Sequence, residues 1–123
     1  MKKILVILVL LIQFPANAAD KYTNFSLSSL EKAKNSGKTV VVNSYEPWCW
    51  SCRKQDKVLI SAKDEFKGVV FLTYQQGKHK DIAEALNISV RTTIVVFKGK
   101  KEVARIIGQT GKTEIYSAIK KGI

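Results

Sequence analysis

Two cysteines separated by two residues are the feature of this sequence with the clearest chemistry. Cys49 and Cys52 are the only cysteines among the 123 residues, and the segment that holds them is Trp48-Cys49-Trp50-Ser51-Cys52. Two thiols at this spacing can close a small disulfide that reopens easily. A structural disulfide stabilises mainly by closing a long loop, so a bridge across two residues gains little stability in that way. The spacing therefore indicates thiol–disulfide exchange.

The segments on either side of the cysteines predict a strand that turns into a helix. The β-branched stretch from Thr39 to Tyr45 is typical of a buried strand. The stretch from Arg53 to Lys63 contains neither Gly nor Pro and suits a helix. At such a junction the unpaired N–H groups and the dipole of the helix N-terminus stabilise a thiolate. This lowers the pKa of a cysteine thiol, and the thiolate is the reactive form.

The remaining segments predict the element order α-β-α-β-α-β-β-α. A capping box that starts at Ser28 opens the first helix, and Gly37 ends it. The other predicted elements are strands at 69–74, 93–97 and 102–107 and helices at 81–86 and 113–120. Strands that alternate with helices imply an α/β fold with parallel crossovers, helices on both faces of a central sheet, and a closing antiparallel hairpin.

Residues 1–18 predict a cleaved signal peptide. Met1-Lys2-Lys3 is a basic start, residues 4–12 are apolar, and Ala16-Asn17-Ala18 is typical of a cleavage site. Nine apolar residues fall well short of the roughly 20 that span a bilayer. We therefore expect export, cleavage after Ala18, and a single mature domain over residues 19–123.

The formal net charge of +11 is spread over small doublets instead of one basic block. No basic segment alternates with exposed aromatic residues in the way that a nucleic-acid platform does. We expect a solvated basic surface and no nucleic-acid partner. Favourable encounters with acidic partners or anionic lipid stay open.

From Leu27 to Ile119 the chain resembles the thioredoxin superfamily. The motif Trp48-Cys49-x-x-Cys52 at a strand-to-helix junction resembles the opening half of the family, and Ile88–Phe97 with the Lys98-Gly99 turn resembles its closing half. The resemblance implies a thioredoxin-like α/β fold, in which helices flank a central mixed β-sheet on both faces. It also implies a disulfide oxidoreductase that exchanges with protein thiols and disulfides and needs neither a cofactor nor a bound metal.

The resemblance also assigns roles to single residues. Cys49 would be the more exposed, attacking thiol, and Cys52, one turn into the helix and more buried, would resolve the mixed disulfide. Trp48 would cover the site. The substrate-binding or site-shaping residues that the resemblance implies are Trp48, Trp50, Arg91 and Thr92.

Two positions near the cysteines depart from the family pattern. Asn43 occupies the place of a buried acid, six residues before the first cysteine. Asn cannot accept the proton of the resolving thiol, so Glu46 becomes either a candidate acceptor or an ordinary exposed carboxylate. The dipeptide Trp50-Ser51 lacks a His or a cation that would further stabilise the thiolate, which argues against a powerful oxidant.

A third departure lies at Thr92, where the family has a cis-proline. A cis bond before a residue other than proline costs about 3–4 kcal/mol, so we expect the Arg91–Thr92 bond to be trans. The change puts the shape of the substrate groove in question. Arg91 either lies near the sulfurs, where a cation favours the Cys49 thiolate, or faces solvent.

Together these features favour a periplasmic thiol–disulfide oxidoreductase that works as a monomeric reductase fed by a membrane thiol transporter. Disulfide oxidase and isomerase activities use the same residues and stay open. A second class is metal or iron–sulfur binding, but one C-x-x-C supplies two of four usual ligands, so a dimer or added thiols would be needed. The third class is a redox-inert binding module, and the intact cysteine pair argues against it.

Overall fold

The computed structural model describes residues 25–123, so the predicted signal peptide lies outside the described residues. The described residues form helices and strands in the predicted order. These are α1 (Leu27–Asn35), β1 (Thr39–Tyr45), α2 (Trp50–Glu65), β2 (Val70–Gln75), α3 (Lys80–Ala85), β3 (Thr93–Lys98), β4 (Lys101–Ile107) and α4 (Lys112–Lys120). Over residues 25–123, no helix combines the length and the apolar character that a bilayer crossing requires.

The strands of this range form one mixed sheet in the order β2-β1-β3-β4. β1 is parallel to β2 and antiparallel to β3, and β3 and β4 form the predicted hairpin. A parallel crossover therefore joins β1 to β2, whereas the prediction of a further parallel crossover was wrong for β3. The apolar pattern of a strand shows which sides are buried and not which way the strand runs. The mixed sheet itself confirms the predicted α/β class.

Alternating side chains give the sheet two apolar faces, and two helices cover each face. Val40 and Val42 of β1 pack with α1 and α3, while Val41 packs with α2 and α4. The buried helix residues are Leu30, Ile82 and Ala83 on the first face and Leu59, Ala62, Ile115 and Ile119 on the second. Burial of one Val or Leu side chain contributes about 1.5–3 kcal/mol, so these contacts hold α2 firmly over the sheet.

The capping box of α1 starts earlier than predicted. Ser26, and not Ser28, is the N-cap residue: its hydroxyl accepts a hydrogen bond from the Ser29 N–H at 3.2 Å, and the Ser29 hydroxyl accepts one from the Ser26 N–H at 2.9 Å. Phe25 just before the cap and Leu30 in the helix both join the core, as in a hydrophobic staple. Packing of this apolar pair selects the earlier serine.

Two glycines end elements that support the site. Gly37 follows α1 with φ of +77°, as predicted for a helix stop. Gly108 follows β4 with φ of +74°. Its N–H donates to the carbonyl of Thr92 at 2.8 Å, which joins the end of the hairpin to the loop before β3.

Candidate active site

The cysteine pair lies where β1 ends and α2 begins, as the sequence predicted. Cys49 is the N-cap residue of α2 and forms a disulfide with Cys52, with 5.2 Å between the Cα atoms. The Cys52 N–H donates to the sulfur of Cys49 at 3.2 Å. This first-turn amide has no partner within the helix and would donate to a thiolate in the same place after reduction.

Both cysteines are buried while they are disulfide-bonded. The exposed fraction is 2% for Cys49 and 3% for Cys52. The prediction that Cys49 is the more exposed thiol was therefore wrong for the disulfide form, because two hydroxyl oxygens, of Ser51 and Thr92, each lie 3.3 Å from its sulfur. What separates the two cysteines is their place in the helix, since Cys49 caps α2 and Cys52 lies inside its first turn.

Thr92 contacts the disulfide from the loop before β3. Its Oγ1 lies 3.3 Å from the sulfur of Cys49, 3.2 Å from the sulfur of Cys52 and 2.8 Å from Oγ of Ser51. A hydroxyl has one hydrogen to donate. If Ser51 donates to Thr92, the Thr92 hydrogen is available to a sulfur, and in the opposite arrangement the Ser51 hydrogen is available to Cys49. Either arrangement can stabilise a thiolate.

The backbone of Thr92 is in the left-handed region, with φ of +63°. A β-branched residue rarely adopts this conformation, and such strain costs about 1–3 kcal/mol. The Arg91–Thr92 bond is trans, as expected, because residues 25–123 contain no cis peptide bond. The positive φ was not predicted, since no local sequence signal marks a threonine for this conformation.

Three hydrogen bonds hold the Thr92 backbone. Its N–H donates to the carbonyl of Ser44 at 3.0 Å, and its carbonyl accepts from the Gly108 N–H at 2.8 Å and from the side-chain amide of Gln55 at 3.1 Å. The same Gln55 amide donates to the carbonyl of Gln109 at 2.8 Å. The sequence analysis missed Gln55. Its signal is a polar residue on the face of α2 that otherwise carries core residues.

Two exposed tryptophans flank the disulfide, and each has a cation over its ring. Trp48 is 67% exposed and Trp50 is 71% exposed. The guanidinium carbon of Arg91 lies 4.4 Å from the ring centroid of Trp48, and Nζ of Lys54 lies 5.7 Å from that of Trp50. Arg91 therefore contacts Trp48 and does not stand free in solvent. Exposed cation–π contacts contribute about 0.5–1 kcal/mol, enough to favour these ring positions beside Cys49.

A recess of about 230 Å³ lies behind Cys52. Asn43 and Thr73 line it and bond to each other, since the Thr73 hydroxyl donates to Oδ1 of Asn43 at 2.5 Å. The position of the family's buried acid is thus neutral and paired. The carboxylates that line the recess are those of Glu46 and Asp56.

Glu46 is half-buried and makes structural contacts. Its carboxylate accepts a hydrogen bond from the Gly77 N–H at 2.6 Å and another from the side-chain amide of Gln75 at 3.1 Å. These bonds join the loop before Cys49 to the last residue of β2 and to the turn that follows it. Glu46 is therefore not the ordinary exposed carboxylate considered from the sequence, because both of its oxygens are engaged, and these two bonds give it a structural role.

The C-x-x-C motif remains a two-ligand set for any metal ion. Over the described range, 25–123, no group of three or more His, Cys, Asp or Glu side chains is close enough to hold one. The metal-binding alternative would therefore still need a second copy of the chain or added thiols, as the sequence indicated.

Several known proteins that are similar to this chain are thioredoxins. The thioredoxin family model matches residues 21–121. A thioredoxin of Mycoplasma genitalium is 38% identical over 90 residues, which cover 73% of this chain and 88% of that protein. A thioredoxin H-type of Oryza sativa subsp. indica is 28% identical over 96 residues and 78% of each chain. The crystal structure of Trxlp from Edwardsiella tarda EIB202 shares the fold, with a TM-score of 0.74 at 22% identity over 77% of this chain and 94% of that one.

The family match spans nearly all of the described residues and includes the disulfide at the start of α2. Proteins of this family act on protein thiols and disulfides, which is the chemistry that the C-x-x-C spacing indicated. Sequence similarity, fold and the position of the disulfide agree. This chain belongs to the thioredoxin family and is a protein disulfide oxidoreductase.

Proposed function

We propose that this chain is exported to the periplasm and reduces protein disulfides there. The basic start, the short apolar run and the Ala16-Asn17-Ala18 segment support export through a cleaved signal peptide. The mature protein would begin at Ala19 and act as a monomer. Its substrates would be other exported proteins that carry disulfides.

The proposed reaction has two displacement steps. The Cys49 thiolate attacks one sulfur of the substrate disulfide, the substrate S–S bond breaks, and the other substrate sulfur leaves as a thiolate. The Cys52 thiolate then attacks the sulfur of Cys49 in the mixed disulfide and releases the second substrate sulfur. Two electrons pass to the substrate. The two protons lost by the enzyme thiols balance the two that the substrate thiolates take up.

The observation that carries the reductase direction is the set of neutral groups around the sulfur of Cys49. Among residues 25–123, the donors within 3.3 Å are the Cys52 N–H and the hydroxyls of Ser51 and Thr92. Neutral donors stabilise an anion less than charged donors do. A strong oxidant has a strongly stabilised reduced form. With neutral donors the reduced form of this protein is less stabilised, and it gives up electrons more readily.

Each turnover leaves a Cys49–Cys52 disulfide that must be reduced again. We assign this step to a membrane-embedded thiol transporter. A thiolate of the transporter would attack the sulfur of Cys49, and Cys52 would leave as a thiolate. A second thiolate of the transporter would then attack the transporter sulfur of this mixed disulfide, so that Cys49 leaves as a thiolate and the transporter keeps the disulfide. The exposed rings of Trp48 and Trp50, together with Arg91 on Trp48, would contact both the transporter and the substrate, because they flank Cys49.

Equilibration of the purified protein with glutathione buffers tests the direction. A reduction potential near that of thioredoxin, about −270 mV, is the expected result. A potential near about −120 mV would identify an oxidant and overturn the reductase assignment.

The export step has a separate test. Mass spectrometry of the protein recovered from its native host should show a chain that begins at Ala19 in the soluble periplasmic fraction. A chain that keeps Met1 in the membrane fraction would show that the protein is tethered and not released.

A further inference from the structure

We propose that Gln55 is a positioning residue for the exchange reaction: it holds Thr92 so that the Thr92 hydroxyl stays against both sulfurs. The inference rests on the proposed function, because thiol–disulfide exchange is the reaction that Gln55 would serve. The effect of Gln55 on the cysteine pair can nevertheless be measured without a protein substrate. Gln55 lies on α2, one turn after Cys52, and its exposed fraction is 0%.

The orientation of the Gln55 amide is fixed by its partners. Nε2 donates to the carbonyl of Thr92 at 3.1 Å and to the carbonyl of Gln109 at 2.8 Å. Both partners are acceptors, so the nitrogen end of the amide must face them. Oε1 is buried without a hydrogen-bond partner among the described residues. Because an unpaired buried oxygen is unfavourable, an apolar side chain would suit this core position better unless the two bonds were needed.

The Gln55 bond supports a residue whose backbone conformation is strained. Thr92 is β-branched and has φ of +63°. Its carbonyl accepts from two donors, the Gly108 N–H at 2.8 Å and the Gln55 amide. Without the amide, one donor remains at that carbonyl. We expect the Thr92 backbone to leave the left-handed region, which moves the Thr92 hydroxyl away from the sulfurs.

The hydroxyl acts on both sulfurs during exchange. It lies 3.3 Å from the sulfur of Cys49, the thiolate that attacks a substrate, and 3.2 Å from the sulfur of Cys52, the thiolate that leaves when the disulfide is reduced. A hydrogen bond to a thiolate stabilises the reduced form. Loss of the bond should therefore shift the equilibrium with glutathione toward the protein disulfide and slow alkylation of Cys49.

A double-mutant cycle tests whether Gln55 acts through that hydroxyl. Gln55→Met keeps the length of the side chain and removes the amide, and Thr92→Val keeps the branched shape and removes the hydroxyl. We expect Gln55→Met alone to change the glutathione equilibrium constant by about three- to tenfold, the size of one lost hydrogen bond. In the Thr92→Val background the same change should have an effect of less than about twofold, because the contact is already absent.

Gln76→Met is the matched control. The Gln76 amide also donates to a backbone carbonyl, that of Ile88 at 3.0 Å, but it lies in the turn after β2. This variant loses the same kind of bond away from the disulfide, together with the bond that Oε1 of Gln76 accepts from the Tyr74 hydroxyl at 2.7 Å. Its glutathione equilibrium constant should stay within about twofold of the wild-type value.

The proposal would be overturned if Gln55→Met shifted the glutathione equilibrium constant equally in both backgrounds. It would also be overturned if Gln55→Met lowered the stability to urea without any shift in that constant. If Gln55→Met does not fold, Gln55→Asn takes its place in the cycle, because it withdraws the amide from Thr92 by one methylene, and the same criteria apply. If the wild-type protein reduces no protein disulfide but the cycle still shows coupling between Gln55 and Thr92, the proposed function is refuted and the role of Gln55 is supported.

Discussion

Two loops meet at the disulfide, and they are held in different ways. The cysteine loop, residues 46–49, continues directly from β1 into α2 and is closed by a hydrogen bond from the Cys49 N–H to the carbonyl of Glu46 at 3.1 Å. The threonine loop, residues 90–92, places the strained residue Thr92 in contact with the sulfurs, and hydrogen bonds from distant segments hold it there. The first loop and the first turn of α2 supply the reacting sulfurs, and the second loop adjusts their environment. Substitutions in the two loops should therefore affect different properties.

The largest effect is expected at the two cysteines, of which Cys49 ends the cysteine loop and Cys52 lies in the first turn of α2. Cys49→Ser should abolish reduction of a protein disulfide, because the attacking sulfur is lost. Cys52→Ser should complete the first displacement only and accumulate mixed disulfides with partners. Non-reducing gels and mass spectrometry of the trapped species measure both. Accumulation in Cys49→Ser and none in Cys52→Ser would reverse the two roles.

A smaller effect is expected in the threonine loop. Thr92→Val should slow alkylation of Cys49 in the reduced protein at neutral pH by about three- to tenfold, because the thiolate loses a hydroxyl donor. Thr39→Val is the matched control, since the Thr39 hydroxyl, at the start of β1 and away from the disulfide, donates to the carbonyl of Gly122. Equal slowing in the two variants would show that the contact between Thr92 and the sulfurs is not the cause.

Thr92→Gly separates backbone strain from the hydroxyl contact. Glycine adopts a positive φ without a Cβ clash, so the disulfide form of this variant should be more stable than Thr92→Val by about 1 kcal/mol. Alkylation of Cys49 should be slowed equally in both variants. Urea unfolding and alkylation rates measure the two properties. A Thr92→Gly variant less stable than Thr92→Val would mean that the backbone at this position is not strained.

The smallest effect on the chemistry is expected for Glu46→Gln, again in the cysteine loop. The Gly77 N–H would lose a charged acceptor, so the free energy of unfolding should fall by about 0.5–1.5 kcal/mol. The rate at which Cys52 resolves a mixed disulfide should not change. Stopped-flow measurement of that step with a model mixed disulfide is the test, and a marked slowing would identify Glu46 as the proton acceptor.

The cysteine loop could be predicted from the sequence because its determinants are local. The β-branched run of Thr39–Tyr45 and the cysteine spacing fix a strand, a turn and a helix start, and β1 has the predicted bounds. The direction of β3 could not be predicted in the same way, because the burial pattern is alike for parallel and antiparallel neighbours.

The threonine loop was predicted only in part. The resemblance indicated that Thr92 is important, and the peptide before it is trans as expected. The positive φ depends on Ser44, Gln55 and Gly108, which come from three separate segments. No local sequence pattern predicts that these three residues bond to the Thr92 backbone. The equal burial of the two cysteines was mispredicted for the same reason, since Thr92 reaches their sulfurs from outside the motif.

The number of thiols released in a single turnover tests the central claim most directly. Pre-reduced protein, freed of other reductants, is mixed with an excess of a disulfide-bonded protein, quenched by alkylation and analysed by mass spectrometry. We expect one Cys49–Cys52 disulfide to form for each substrate disulfide that is lost, with two new thiols on the substrate. A substrate without new thiols, beside a protein in which Cys49 and Cys52 are still reduced, would contradict the assignment.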